Sequence, residues 1–340
     1  GETIRYEIEI SKFIRQGETY LFLFSFNGFI GDTPFITMTD GCAGFFTEEE
    51  VKNSGGIILT GDDTRPVAGK KPSDWKPLVT LNKESYDDSA LATLRSGNAA
   101  GCFGKAFAGI TLPGSLRLPS GRMTLIDRVI SLDPVGGRYG LGLIRAEADI
   151  RADDWFLTCH FVDDMVMPGT LMYECCAHTL RIFMQRMGWI TDKADVFYAP
   201  VIGVQSILKC RGPVTPATRQ VVYEVELMEF GYRPQPYVVA DAYMYADGDR
   251  IVQFKIMSLQ MNGISREDIE TFWEQQANKT ERPESSMKPP AVFERHHILE
   301  IAVGSPSKAF GEHYKPLDRD RFIARLPGPP YMFIDRITQV

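Results

Sequence analysis

The stretch from Trp155 to His178 concentrates residue types that move protons. It reads Cys159-His160-Phe161, then Met165-Val166-Met167-Pro168-Gly169-Thr170, then Tyr173-Glu174-Cys175-Cys176 and His178. An imidazole titrates near neutrality and can take a proton from a weakly acidic carbon. A carboxyl held among apolar side chains has a raised pKa and can deliver a proton to a leaving group. His160 and Glu174, 14 positions apart, are such a pair. Gly169 follows a proline at the start of a helix. Its N–H has no intrahelical partner and lies at the positive end of the helix dipole, and without a side chain it admits a close approach. His178 stands four residues after Glu174, on the same helix face, where it can orient the carboxyl.

Other readings of these residues compete. A histidine before a helix can be structural, and Gly169 can be a turn glycine. Glu174 can be satisfied by a salt bridge or by exposure at a helix end, and His178 can be a core residue with its hydrogen bonds met. Cys159, His160, Cys175, Cys176 and His178 together suggest zinc, but their spacing matches no familiar closed site, so no metal is expected. Cys159 reads as a small packing residue. His296-His297 read as solvated.

The elements that must position these residues come next. Residues 172–187 form a helix candidate that is apolar on nearly all sides until its last turns, and such a helix is buried. Residues 115–133 and 139–150 read as extended, as do 200–210, 219–229, 236–246 and 250–261. Asp247-Gly248 signals a hairpin between the last two. The polar stretches 62–88 and 276–292 read as linkers. Each is followed by a short helix, such as Ser89–Arg95 ending near Gly97.

Part of the chain repeats. Ile4-Arg5-Tyr6-Glu7-Ile8-Glu9-Ile10 resembles Val221-Val222-Tyr223-Glu224-Val225-Glu226-Leu227, at an offset of 217. Leu118-Pro119 and Ile126-Asp127-Arg128 resemble Leu326-Pro327 and Ile334-Asp335-Arg336, at an offset of 208. This phase predicts the second half of one unit at 1–61 and a linker with a short helix at 62–110. A complete unit follows at 111–265, a linker with short helices at 266–320, and the start of another unit at 321–340. Only the middle unit carries the 160–178 segment. The flanking halves lack a central helix and are expected not to complete a fold alone. The chain opens on Gly1 with no signal peptide and reads as a window from a longer array.

Composition bounds the function. A net charge of −7 among 340 residues argues against a nucleic-acid partner. No apolar run reaches the roughly 20 residues that span a bilayer. Six cysteines without a C-x-x-C pair read as a reduced set, so a cytoplasmic location is expected.

His160-Phe161 followed by Met165-Val166-Met167-Pro168-Gly169, with Glu174 on the helix, resembles the motif of bacterial 3-hydroxyacyl-ACP dehydratases. Met123 to Val129 and Lys209 to Val214 add weaker likeness. The tandem arrangement is similar to the dehydratase region of polyunsaturated fatty acid synthases, which are polyketide-synthase-like. Asp163 and Met165 depart from the family's usual Gly and Pro, and Glu174 stands where some relatives have Asp. The resemblance implies an α+β hotdog fold, in which a long antiparallel sheet wraps a central helix and units pair as double hotdogs. It implies that His160 is the base, Glu174 the acid, the Gly169 N–H the oxyanion donor and His178 an orienting group. It implies dehydration of 3-hydroxyacyl-ACP to trans-2-enoyl-ACP, with isomerisation as a further potential activity. No cofactor is bound, because the phosphopantetheine arm arrives on the acyl carrier protein. The implied partners are that carrier, neighbouring synthase domains, and a second hotdog from a homodimer or from the same chain. Two alternatives stay open: a hotdog acyl thioesterase, and a non-catalytic structural hotdog of a megasynthase.

Overall fold

A helix that is apolar on nearly all sides has to be enclosed, and the strands on either side of it in the chain supply the enclosure. The computed structural model describes residues 2–161, 163–281, 291–319, 324–329, 332, 334, 336, 337 and 340. The first elements are β1 (Ile4–Gln16), β2 (Thr19–Ile30), β3 (Thr33–Phe45), α1 (Glu48–Asn53) and α2 (Gly61–Thr64). Next come β4 (Glu84–Tyr86), α3 (Asp88–Ser96), α4 (Ala99–Phe103), β5 (Arg128–Asp133), β6 (Leu143–Asp149) and α5 (Trp155–Cys159). Then follow α6 (Gly169–Arg186), β7 (Phe197–Ala199), β8 (Ile207–Cys210), β9 (Gln220–Gly231), β10 (Tyr237–Ala246) and β11 (Asp249–Asn262). The last helices are α7 (Arg266–Glu281), α8 (Arg295–Ala302) and α9 (Pro306–Phe310). The chain divides into two compact units, residues 1–273 and 274–340.

The first unit is a hotdog. Eight antiparallel strands run in the order β4-β5-β6-β9-β10-β11-β7, with β8 also paired to β11. The sheet wraps α6, whose Leu180, Ile182, Cys175 and Cys176 are fully buried. Alternation on β9 turns Val221, Tyr223, Val225 and Leu227 inward. Tyr223 reaches the Cys175 thiol of α6. At Asp247-Gly248 both residues have positive φ, and Ala246 faces Asp249, so this is the two-residue hairpin its sequence predicts.

Several boundaries differ from the sequence reading. Within 115–133 only Arg128–Asp133 is strand, preceded by a 3₁₀ turn at Gly121–Met123. Within 200–210 only Ile207–Cys210 is strand. The stretch 62–110, read as a linker with a short helix, adds to the core: Leu91, Leu94 and Phe107 are fully buried. Gly97, with φ 92, caps α3 as expected. The stretch 266–320 opens on a 16-residue helix. Ile269 and Phe272 on that helix are buried, and the Trp273 indole donates to the Gly188 carbonyl. Residues 321–323, 330, 331, 333, 335, 338 and 339 of the last stretch, and 282–290 of the polar stretch 276–292, lie outside the described residues.

Residues 57–70 form a strap across the outer face of the sheet. Ile57 N–H donates to Arg250 O, Gly69 N–H to Tyr139 O, and Lys70 N–H to Met228 O. Asp63 pairs with Lys255, which holds its carboxyl far below the usual range. Nearby, buried Asp241 accepts from Arg138, from the Tyr139 hydroxyl and from the Ile256 N–H. Both faces of β10 are therefore buried, one by α6 and one by this polar layer. β1, β2 and β3 form a separate three-stranded sheet. In the second unit, Glu300 of α8 accepts from the Ser305 N–H, and Arg325 donates to Gly304 O. Among the described residues, no helix is long and apolar enough to cross a membrane.

Leu180→Ala removes a fully buried side chain at the centre of the wrap. It is expected to cost about 2–5 kcal/mol, read as a lower urea midpoint. Ile202→Ala, at a side chain 94% exposed, is expected to change stability by less than about 0.5 kcal/mol.

Candidate active site

The site begins where α5 ends. His160 is the C-cap residue of that short helix, and its ring stacks on Phe161 at 4.4 Å. Its Nδ1 lies 2.9 Å from the carbonyl oxygen of Val166. A carbonyl only accepts, so Nδ1 carries the hydrogen of the neutral ring and Nε2 is left with its lone pair. The loop that supplies this carbonyl is itself held, because Met167 N–H donates to Val214 O at 3.0 Å. The tautomer of His160 is thus set by backbone.

The same loop ends in Pro168-Gly169, the start of α6. Pro168 is the N-cap residue, and its carbonyl accepts from the N–H groups of Leu171 and Met172. No hydrogen bond joins the Gly169 N–H to another described residue. A methyl group built on Gly169 would meet nothing within 4 Å, so there is open space in front of it. An unbonded donor beside open space at the N-terminus of an 18-residue helix suits a developing negative charge.

Glu174 lies one turn further along α6. Its pKa is raised, because neighbouring side chains strip water from the carboxyl; the charge of Arg181 opposes this. Half of its side chain is still exposed. His178 Nε2 is 3.6 Å from the Glu174 carboxylate, beyond hydrogen-bond range. Burial, aided by the charges of Arg181 and Arg95, lowers the His178 pKa to about 3. The imidazole is neutral at physiological pH, so this contact is no salt bridge. His178 touches Glu174 as a buried neutral neighbour.

The structure therefore places the four predicted residues in two pairs. His160 and Gly169 bracket one loop, and Glu174 and His178 share one helix face. No hydrogen bond or ion pair between His160 and Glu174 occurs among the described residues. Two residues escaped the sequence reading. Arg181 donates to the carbonyls of Ser115 and Arg117 and stacks over Tyr198, and the Gln185 amide donates to Leu116 O. Glu174, His178, Arg181 and Gln185 recur at helical spacing. They form one polar stripe on an otherwise apolar helix, a signal that was available in the sequence. A cavity of about 600 Å³ lined by Trp75, Leu78, Leu81, Leu141 and Phe230, among others, includes none of these residues.

Comparison with known proteins places this geometry. The family model described as a FabA-like domain matches residues 118–255, which contain the loop, α6, β9, β10 and the first half of β11. That stretch is similar to FabA-like domains. A curated relative, a polyunsaturated fatty acid synthase subunit of Thraustochytrium sp., is 33% identical over 248 residues, covering 71% of this chain. The chain spans only 16% of that relative's length. Among solved structures, the dehydratase heterocomplex ApeI:P from Xenorhabdus doucetiae aligns at 14% identity and a TM-score of 0.32, over 49% of this chain and 98% of that one. A hypothetical thioesterase with coenzyme A from Streptococcus pneumoniae aligns at 9% identity and a TM-score of 0.26, over 36% of this chain and 80% of that one.

Two measurements on this domain follow from its electrostatics. The His178 imidazole is expected to show no protonation step of its own between about pH 5 and pH 8, because burial lowers its pKa to about 3. Glu174 has a raised pKa, so its contribution to stability is present at acid pH and lost as pH rises through the folded-state value. The Tm of Glu174→Gln, relative to the parent, is expected to rise as pH is raised above the ordinary carboxylate range.

Proposed function

We propose that the hotdog is a lyase that dehydrates 3-hydroxyacyl thioesters on an acyl carrier protein to trans-2-enoyl thioesters. The observation that carries this reading is the His160 Nδ1 contact with Val166 O, which leaves Nε2 as the free base on the loop that ends in Gly169. Nε2 takes the proton from C2 of the acyl chain. The electron pair left behind spreads onto the thioester oxygen, where the Gly169 N–H donates to it. The carboxyl of Glu174 gives its proton to the C3 hydroxyl, which leaves as water while the C2–C3 double bond forms. His160 is then protonated and Glu174 ionised, and proton exchange with solvent resets both.

Glu174 is half exposed and has no bond to His160, so a second hotdog is proposed to close the site. A second copy of the chain or a neighbouring unit can supply it, with the acid and base then drawn from different units. The proposed setting is a cytoplasmic multidomain synthase of polyunsaturated fatty acids or polyketides. Its support is the identity to the Thraustochytrium synthase. The phosphopantetheine arm belongs to the substrate, so the reaction needs no resident cofactor.

Incubation with a 3-hydroxyacyl thioester, followed by mass spectrometry, is expected to show loss of water with the thioester intact. Free acid and free thiol as the products would sink the reading in favour of a thioesterase. His160→Ala and Glu174→Gln are each expected to lower kcat/KM by about 10²–10⁴-fold. An unchanged rate in His160→Ala would remove its assigned role.

A further inference from the structure

The sheet β1-β2-β3 copies β9-β10-β11 down to its irregularities. Ile4 pairs with Ile30 and Ile10 with Phe24, and a bulge follows at once. Val221 pairs with Ala246 and Leu227 with Ala240, and a bulge follows at the same step. On the third strand, a register shift follows Phe29 and Pro34 just as one follows Tyr245 and Arg250. A further shift leaves Asp40 in one sheet and Ile256 in the other at positive φ, 55° and 60°. Positive φ is uncommon outside glycine and disfavoured for a β-branched residue, so a shared position for it marks equivalent backbones.

The two sheets differ in what covers them. Val221, Tyr223, Val225 and Leu227 are at most 1% exposed, because α6 lies on them. Their equivalents Ile4, Tyr6, Ile8 and Ile10 are 50–66% exposed. Arg5, Glu7 and Glu9 alternate to the opposite side, so the uncovered face is apolar and the other is charged. Ile4, Tyr6, Ile8, Ile10 and Ile36 together expose on the order of 500 Å², backbone included, most of it apolar. That lies at the upper end for a lone monomer and approaches one partner's share of a standard interface.

We propose that this face is the docking surface for an apolar helix of the α6 type, carried by the first half of another hotdog unit. The occupant is defined by what already fills the same place in this chain. It must be a helix without charges on the buried side, entering at the angle that the three shared bulges impose. One detail sets its side chains. Where β10 presents Ala240 and Ala242, β2 presents Phe24 and Phe26 at the equivalent register. The covering helix therefore has small residues at its centre, as α6 has Cys175, Cys176 and Ala177. The dehydratase reading is not needed for this inference.

Hydrogen–deuterium exchange on the full chain tests it, with a synthetic peptide of the Gly169–Arg186 sequence bearing a solubilising Lys tail as the probe. Saturating peptide is expected to slow exchange of the central β1–β3 amides by at least about tenfold. Ile8→Glu is expected to abolish the effect, while Glu9→Lys, on the opposite face, retains it. Unchanged exchange of β9–β11 verifies that each variant is folded. No slowing at about 1 mM peptide, or equal loss in both variants, overturns the proposal. So does a chain whose β1–β3 amides are already protected in a dimer that Ile8→Glu dissociates, since a second copy would then be the cover.

Discussion

A helix of 18 residues with only a narrow polar stripe cannot rest on a surface, and the burial of α6 is the constraint on which the rest of the hotdog depends. Every inward position on β9 is apolar because it faces that helix. β10 contributes the small side chains of Ala240 and Ala242, fully buried in the same core. The short helices before β5 close one side of the core with Leu91, Leu94 and Phe107. Chemistry is placed by the same constraint. A loop that must deliver the chain to the start of a buried helix ends in Pro168-Gly169, and its own carbonyl at Val166 fixes the ring of His160.

The polar stripe on α6 shows how the core tolerates ionisable groups. Burial disfavours charge on Glu174 and on His178 alike, which raises the pKa of the carboxyl and lowers that of the imidazole. Arg181 acts on both in the same direction. It draws the Glu174 pKa back down and drives the His178 pKa further down. Its own charge is met by the carbonyls of Ser115 and Arg117. Two groups with opposite preferences thus sit side by side, each able to be neutral without a formal ion pair.

Much of this was legible in the chain. The helix, the long strands and the Asp247-Gly248 hairpin follow from periodicity and turn chemistry, which act over neighbouring residues. The dense spacing of the motif from His160 to Glu174 carried the resemblance to bacterial 3-hydroxyacyl-ACP dehydratases, and it lies inside the stretch that matches a FabA-like domain. The packing of 62–110 was not legible. Its Pro, Lys and Asp content is that of a linker, and only the tertiary fold shows Phe107 reaching the core. The half-exposure of Glu174 was one of two open readings, since a carboxyl on an apolar helix can be enclosed or can reach solvent, and spacing does not choose between them. Arg181 was missed for a different reason. Its spacing was visible, but its partners are backbone carbonyls 64 and 66 residues away, which no local pattern announces.

The strap at 57–70 has a mechanical consequence. It is fastened at Arg250 and Lys255 on β11, at Tyr139 and at Met228 on β9, points spread along its length. A pull arriving through the N-terminal sheet meets the Ile57 bond first, then Asp63, then Gly69 and Lys70, so the strap has to be released in that order before the pull reaches residues beyond it. The sheet β1–β3 is tethered to the back of the hotdog wall, and a displacement of one end is transmitted to β11 as traction along its outer surface.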